Sequence, residues 1–262
     1  MRIMAVLMGA LLVSAPALAA KAKHPAARAS ALALYERGDY AASVAKGMKD
    51  GTAESLTIAA RAGLADGVLH DQFCQECFKG TEALARRAIA LDSKRADAYI
   101  LLATAIGFES RNVGAVQARV EGYPQKAREA IDSALKLKPA DARTLATLGS
   151  WNFDIVNFGG KIVGEFIYDA SADAGKTYFI RAMKADPGNK LIPYEFALCL
   201  AAYDFDTNKD QIQMLLAVAA SAKPGNTYER AIHDRAVALG TLFLKGNKDV
   251  FLAKAKRYQG YS

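Results

Sequence analysis

Two short stretches hold residue types that do chemistry. In HDQFCQECFKG (70 to 80) the spacing C-x-x-C sets Cys74 beside Cys77, and His70 lies four residues before Cys74. On a helix these three positions share a face, so a soft metal ion would find three ligands there, and zinc would ask for a fourth. The chain has no second C-x-x-C, and its other histidines, His24 and His233, are distant in sequence. Thioredoxin-type redox work needs a βαβ setting that the surrounding pattern does not offer. Four readings therefore stand together: structural thiols, a local Cys74–Cys77 disulfide formed in an oxidising compartment, a metal site on His70, Cys74 and Cys77, and redox catalysis. The remaining cysteine, Cys199 in FALCLAAY, falls on an apolar face and reads as a small buried hydrophobe.

The second stretch is ASADAGKT (170 to 177), one glycine short of the phosphate-cradling G-x-x-x-x-G-K-[ST]. A phosphate loop follows a buried parallel strand and opens a helix, and here only the helix is expected. Ala170 lacks the backbone freedom of the missing glycine. The segment reads as a helix start capped by Ser171 or Asp173, where Lys176 beside free amides would at most attract an anionic group. Neither G-x-S-x-G nor H-E-x-x-H occurs, and three histidines have no spaced acid or nucleophile. The expectation is a protein that is not an enzyme and needs no cofactor.

The elements that carry these stretches sit in a chain of 262 residues, 52% hydrophobic and 23% charged, enough for a packed core. MRIMAVLMGALLVSAPALAAK opens on Arg2, runs through an apolar stretch and closes on Ala17-Leu18-Ala19, the pattern of a cleaved signal peptide over residues 1–19. Export to a periplasmic or secreted location follows, with a single domain over 20–262 and no integral membrane span after leader cleavage. Losing Arg2 leaves 33 basic against 27 acidic side chains, net +6. The Lys and Arg residues are dispersed, with no stripe for nucleic acid.

Self-similarity organises the rest. ARRAIALDSKRADAYILLA (85 to 103), AIDSALKLKPADARTLATLG (130 to 149) and YFIRAMKADPGNKLIPYEFA (178 to 197) share one frame. Ala88, Ala134, Ala182 and, more loosely, Ala219 each precede Ser93, Pro139, Pro187 and Pro224 by five residues, and an apolar-periodic segment starts after each. A small residue recurs eight positions into the next unit, as Ala103, Gly149 and Ala197. Small residues let antiparallel helices approach closely, and Pro stops a helix. This pattern resembles the tetratricopeptide repeat, as does Gly38-x-Tyr40 in YERGDYAASVAKG (35 to 47).

The resemblance implies an all-α fold: a right-handed superhelical solenoid of five or six degenerate TPR-like hairpins. Unit starts at Ala96, Ala142, Lys190 and Thr227 are 46, 48 and 37 residues apart, against about 34 for the repeat. The excess falls as inserts between the paired helices of each unit, projecting from one edge. Only EFIYD (165 to 169) reads as a plausible strand. On the repeat's geometry the inner surface presents Ile100, Thr104, Phe108, Ser150, Phe153, Asp154, Tyr194 and Leu198, a mixed lining suited to an extended peptide or partner helix. Trp151, the only tryptophan, is either an inter-helix packing residue or a ligand platform.

Within residues 81 to 205, Leu148, Gly149, Trp151, Phe153, Phe179, Ala182 and Pro187 resemble the regulator of microtubule dynamics family, which implies architecture and interaction with no catalytic motif. The chain also looks like the periplasmic helical component of tripartite solute transporters. The expected function is a non-catalytic scaffold for an unidentified protein or peptide, with a small-solute-binding transporter accessory as the alternative. A scaffold predicts an open inner groove. A solute binder predicts inserts closing over a pocket lined by Trp151, Phe158, Phe166 or Tyr168.

Overall fold

The structure, a computed structural model, describes residues 24–70, 75–221 and 223–261, with side chains from residue 30 onward. The leader reading and Cys74 lie outside the described residues. Among the described residues eleven α-helices follow one another: α1 (His24–Arg37), α2 (Tyr40–Asp50), α3 (Ala53–Leu69), α4 (Gln75–Leu91), α5 (Ala96–Val120), α6 (Tyr123–Leu137), α7 (Ala142–Val163), α8 (Ala172–Ala185), α9 (Leu191–Ala220), α10 (Thr227–Leu244) and α11 (Lys248–Tyr258). No strand occurs among the described residues. EFIYD, the expected strand, lies instead mostly in a π-helical turn over Gly164–Tyr168 that closes on Asp169 at φ 51°. A lone strand would leave its backbone unpaired, whereas here the Ala170 amide returns to the Gly164 carbonyl at 2.9 Å.

Helix boundaries follow local chemistry. Thr52 and Ser55 form a reciprocal capping box at the start of α3. Asp141, Ser171 and Asn226 accept from the amides of Thr144, Ala174 and Glu229 at the starts of α7, α8 and α10. Helices α6 and α8 end at Leu137 and Ala185, two residues before Pro139 and Pro187.

Each helix packs on its successor, and α1, α3, α5, α7 and α9 also pack on one another in order. The residues that share a frame in the sequence occupy the seams. Ala88, Ala134 and Ala182 are fully buried, Ala219 nearly so, and Ala103, Gly149 and Ala197 lie beneath the opposing helices. At Gly149 a side chain would meet the Phe179 ring at 2.7 Å and the Gly175 carbonyl at 3.2 Å. This is the close approach of α7 and α8 that the small residue permits. Phe153, Phe179 and Phe196 form the adjoining aromatic core, the last two stacked at 4.7 Å.

The last helices return to the first. α10 packs on α1 and α3. Arg235 donates to the Val68 and Leu69 carbonyls at the end of α3 and lies 4.3 Å over the Tyr258 ring. Thr227 fills the space beside Gly38. No described helix is long and apolar enough to cross a membrane.

Candidate functional site: two inserts and an arginine clamp

α5 and α7 break at equivalent places. Gly114 (φ 77°, ψ 163°) and Gly160 (φ 78°, ψ 166°) each fall 18 residues after the first residue of their helix. That backbone region is open essentially to glycine alone, so each break is written in the residue type. Beyond them, the ends of α5 and α7 and the π turn form two neighbouring inserts. α9 breaks too, at Asp204 (φ −161°, ψ 93°), in extended backbone that needs no glycine.

Between the two inserts opens a cavity of about 240 Å³ lined by Tyr123, Trp151, Asp154, Ile155, Phe158 and Tyr168. Its walls are mainly apolar, as in ligand pockets generally. Trp151 is held in place on three sides: its indole N–H donates to the Pro124 carbonyl at 3.0 Å, Tyr168 meets it edge-on, and Arg128 lies 5.1 Å over its ring. On the two inserts Val116, Val120, Ile162 and Phe166 are more than 70% exposed. Single exposed apolar residues are ordinary, but four on adjoining inserts make a patch.

Below the cavity lies an arginine clamp. Arg111 donates to Asp154 at 2.8 Å and to the Gln259 carbonyl at 2.7 Å. Its guanidinium is sandwiched between the rings of Phe108 (4.7 Å) and Tyr261 (4.9 Å). The Tyr261 hydroxyl donates to the other Asp154 oxygen at 2.8 Å, and its ring stands 5.3 Å from Phe158. Burial pushes the Tyr261 phenol well above its ordinary range. It therefore stays a donor. On the far side of the clamp is a second cavity, of about 550 Å³, bounded by Arg111, Phe158, Ala201, Leu252, Lys256 and Tyr261. Glu195 on α9 lies within electrostatic range of Arg111. Desolvation raises its carboxyl to about 7, with Arg111 pulling the other way; the side chain keeps contact with water, which moderates the shift.

The expected inner lining is largely closed off within the chain. Ile100, Trp151, Phe153, Tyr194 and Leu198 are buried, while Thr104, Phe108 and Ser150 are half-buried. Thr104 donates to the Ile100 carbonyl, Phe108 stacks on Phe78, and the Cys199 thiol lies 3.9 Å from the Ser150 hydroxyl. Burial raises the free Cys199 thiol well above its usual range, in keeping with an inert core position. Tyr194 lies against Arg235 of α10. Of the four residues expected to line a solute pocket, Trp151, Phe158 and Tyr168 come together, while Phe166 points outward at 83% exposure.

Cys77 is disulfide-bonded. His70 points back to Asp66 along its own helix, at 2.8 Å. Among the described residues no three His, Cys, Asp or Glu side chains stand together as a metal site. In ASADAGKT it is Ser171 that caps α8, and Gly175 packs on the Phe153 ring, where a side chain would come within 2.9 Å. Its glycine serves helix contact. Reading the sequence missed Arg111, Lys256, Gln259 and Tyr261, whose partners lie up to 148 residues away. The one local signal was that Arg111 falls in FESRNVGAVQARVEGYPQ (108 to 125), one of the inserts between paired helices. Compared with known proteins, the chain matches no family model and no curated protein.

Proposed function

We propose that this is a non-catalytic, exported binding protein of TPR-like build that takes a small solute between its third and fourth hairpins. The carrying observation is the cavity lined by Trp151, Phe158 and Tyr168. The filled inner face supports the same reading. α10 covers the ends of α1 and α3, and the Gln259–Tyr261 segment sits on Arg111 and Asp154, where an open groove would hold a peptide. A superhelical solenoid with a cleaved leader and one domain over 20–262 belongs to this reading. It draws support from the shared frame of Ala88, Ala134 and Ala182 and from the matched breaks at Gly114 and Gly160.

The test is native mass spectrometry of the purified chain after exposure to a small-molecule extract of periplasm. A retained small molecule is expected, and Ser110→Phe, which fills the cavity from its wall, should abolish retention while the fold survives by circular dichroism. Retention that is unchanged in the filled variant would sink the assignment of this cavity.

One observation favours a second reading, the protein scaffold. The exposed patch of Val116, Val120, Ile162 and Phe166 is the kind of edge on which a partner docks. Capture of a protein by the wild-type chain, lost in a Val116→Asp, Phe166→Asp variant, with no small molecule retained, would favour it.

A further inference from the structure

Asp154 is the only carboxylate among the described residues that line the cavity between the inserts, and its neighbours there include Trp151, Ile155 and Phe158. A carboxylate in such a wall needs both oxygens paired, because a solute packing apolar surface against it removes the water that would otherwise pair them. The chain supplies both partners. One oxygen accepts from Arg111 and the other from the Tyr261 hydroxyl, each at 2.8 Å. The guanidinium is shared: Glu195 on α9 acts on it as well, and the Gln259 carbonyl takes another of its N–H groups at 2.7 Å. A phenol has a single proton to give, so the Tyr261 hydroxyl serves Asp154 alone.

Tyr261 reaches the same wall a second way. Its ring stands 5.3 Å from Phe158, another lining residue, and lies 4.9 Å over the Arg111 guanidinium. The segment that carries it is short and half-buried at Gly260 and Tyr261, whose amides turn back to the Arg257 and Lys256 carbonyls at 3.0 and 3.1 Å. With the segment lifted, one Asp154 oxygen loses its partner, and water in an empty cavity takes the place of the phenol. A solute in the cavity displaces that water, and the unpaired oxygen then costs free energy. Seating the segment and filling the cavity therefore favour each other.

We propose that Tyr261 is a positioning residue for this cavity: by completing the pairing of Asp154 it makes the wall fit for a solute, and a bound solute in turn holds the Gln259–Tyr261 segment in place. This rests on the solute-binding reading above, and it adds the element that controls the site. The coupling is reciprocal by linkage.

Trp151 makes the test direct, because the only tryptophan lines the cavity. The neutral fluorophore N-phenyl-1-naphthylamine is titrated into the full chain, reading the quenching of tryptophan emission. Saturable quenching is expected, and Ser110→Phe should abolish it. Tyr261→Phe keeps the ring beside Arg111 and Phe158 but removes the donor to Asp154. It should weaken the probe by about tenfold, the effect of one hydrogen bond to a charged group felt in the bound state. In an Asp154→Ala background the same substitution should change affinity by less than about twofold, since no carboxylate is left to pair. Ser43→Ala removes a buried hydrogen bond to the Ala31 carbonyl, made between α2 and α1 at 2.9 Å. It should lower stability and leave probe affinity within about twofold, which separates positioning from destabilisation.

Because Asp154→Ala takes a charge partner from Arg111, a measurement on the wild-type chain stands beside it. Saturating probe should slow hydrogen exchange at the Gly260 and Tyr261 amides, and should not do so in Tyr261→Phe. Equal probe affinity in wild type and Tyr261→Phe, a Tyr261→Phe loss that persists unchanged in Asp154→Ala, or exchange at those amides unmoved by the probe would overturn the coupling and leave the pocket reading standing. A probe that does not bind, or binds Ser110→Phe as well as wild type, would overturn the pocket reading and the coupling with it.

Discussion

At the scale of the residue, Glu109 on α5 is a buried carboxyl whose ionisation bears on stability. It is 2% exposed. Burial first, then a hydrogen bond with Glu82 and the charge of that carboxylate, raises Glu109 to about 8, with Lys79 and Arg86 pulling the other way. Arg86 pairs with Glu82, and Glu109 keeps its proton at neutral pH. In the unfolded chain Glu109 returns to its ordinary value of 4.5. The folded state therefore binds more protons, and stability falls as pH rises: the contribution is full below 4.5 and is lost as pH climbs through 8. Glu109→Gln keeps a donor toward Glu82 and removes the titration. Thermal melts from pH 5 to 9 should show a flatter profile for this variant, with a higher Tm than wild type at pH 9 by about 2–4 °C per kcal/mol recovered. Parallel profiles would show that Glu109 is ionised in the fold. A lone Glu in GFESRN announces none of this, because the pair is made by two helices meeting.

At the scale of the element, the glycines of α7 and α8 divide into two kinds. Gly160 sits in open space at positive φ, so its demand is backbone conformation alone. Gly149 is helical, and its demand is space: Phe179, against which it packs, is fully buried and stacked on Phe196, so it cannot yield. Gly149→Ala should cost about 1–3 kcal/mol by overpacking, a Tm loss of several degrees. Gly240 on α10 has nothing within 4 Å of an added methyl group, so Gly240→Ala should be neutral or stabilise by up to about 1 kcal/mol through helix propensity. Equal melting shifts for the two variants would remove the close-approach account of the α7–α8 seam. The seam was legible in the sequence, since Gly149 keeps frame with Ala103 and Ala197. The π turn at Gly164–Tyr168 was not: the β-branched and aromatic run EFIYD favours a strand locally, and tertiary packing around Gly164 overrode it.

At the scale of the whole molecule, α10 ties the end of the chain to its beginning. Arg235 is the tie, with two donations to the carbonyls that end α3, where the helix dipole also favours a cation. Arg235→Ala should lower stability by about 2–3 kcal/mol, in the range of hydrogen bonds to a charged donor. Hydrogen exchange should speed in α1, α3 and α10 while the α5–α8 region keeps its protection. Uniform loss of protection along the chain would mean that the closure is not a local contact. The result bears on function as well, because the closure and the Gln259–Tyr261 segment together cover the inner face that a peptide-binding groove would leave open.

What the sequence determined by itself was most of what is encoded within some twenty residues, the π turn at Gly164–Tyr168 excepted. Helix starts and stops, the buried Ala88, Ala134 and Ala182, the small residues at the seams and the position of the inserts all follow from capping, periodicity and side-chain volume. These act between neighbours in the chain. Only the tertiary structure decided that Arg111, Asp154, Gln259 and Tyr261 would meet, that α10 would reach α3, and that the two inserts would flank one cavity. Those contacts span 43 to 167 residues, and their geometry is the sum of small rotations at every helix seam between them. No local pattern carries that sum, so a clamp assembled from three remote segments leaves no motif to read.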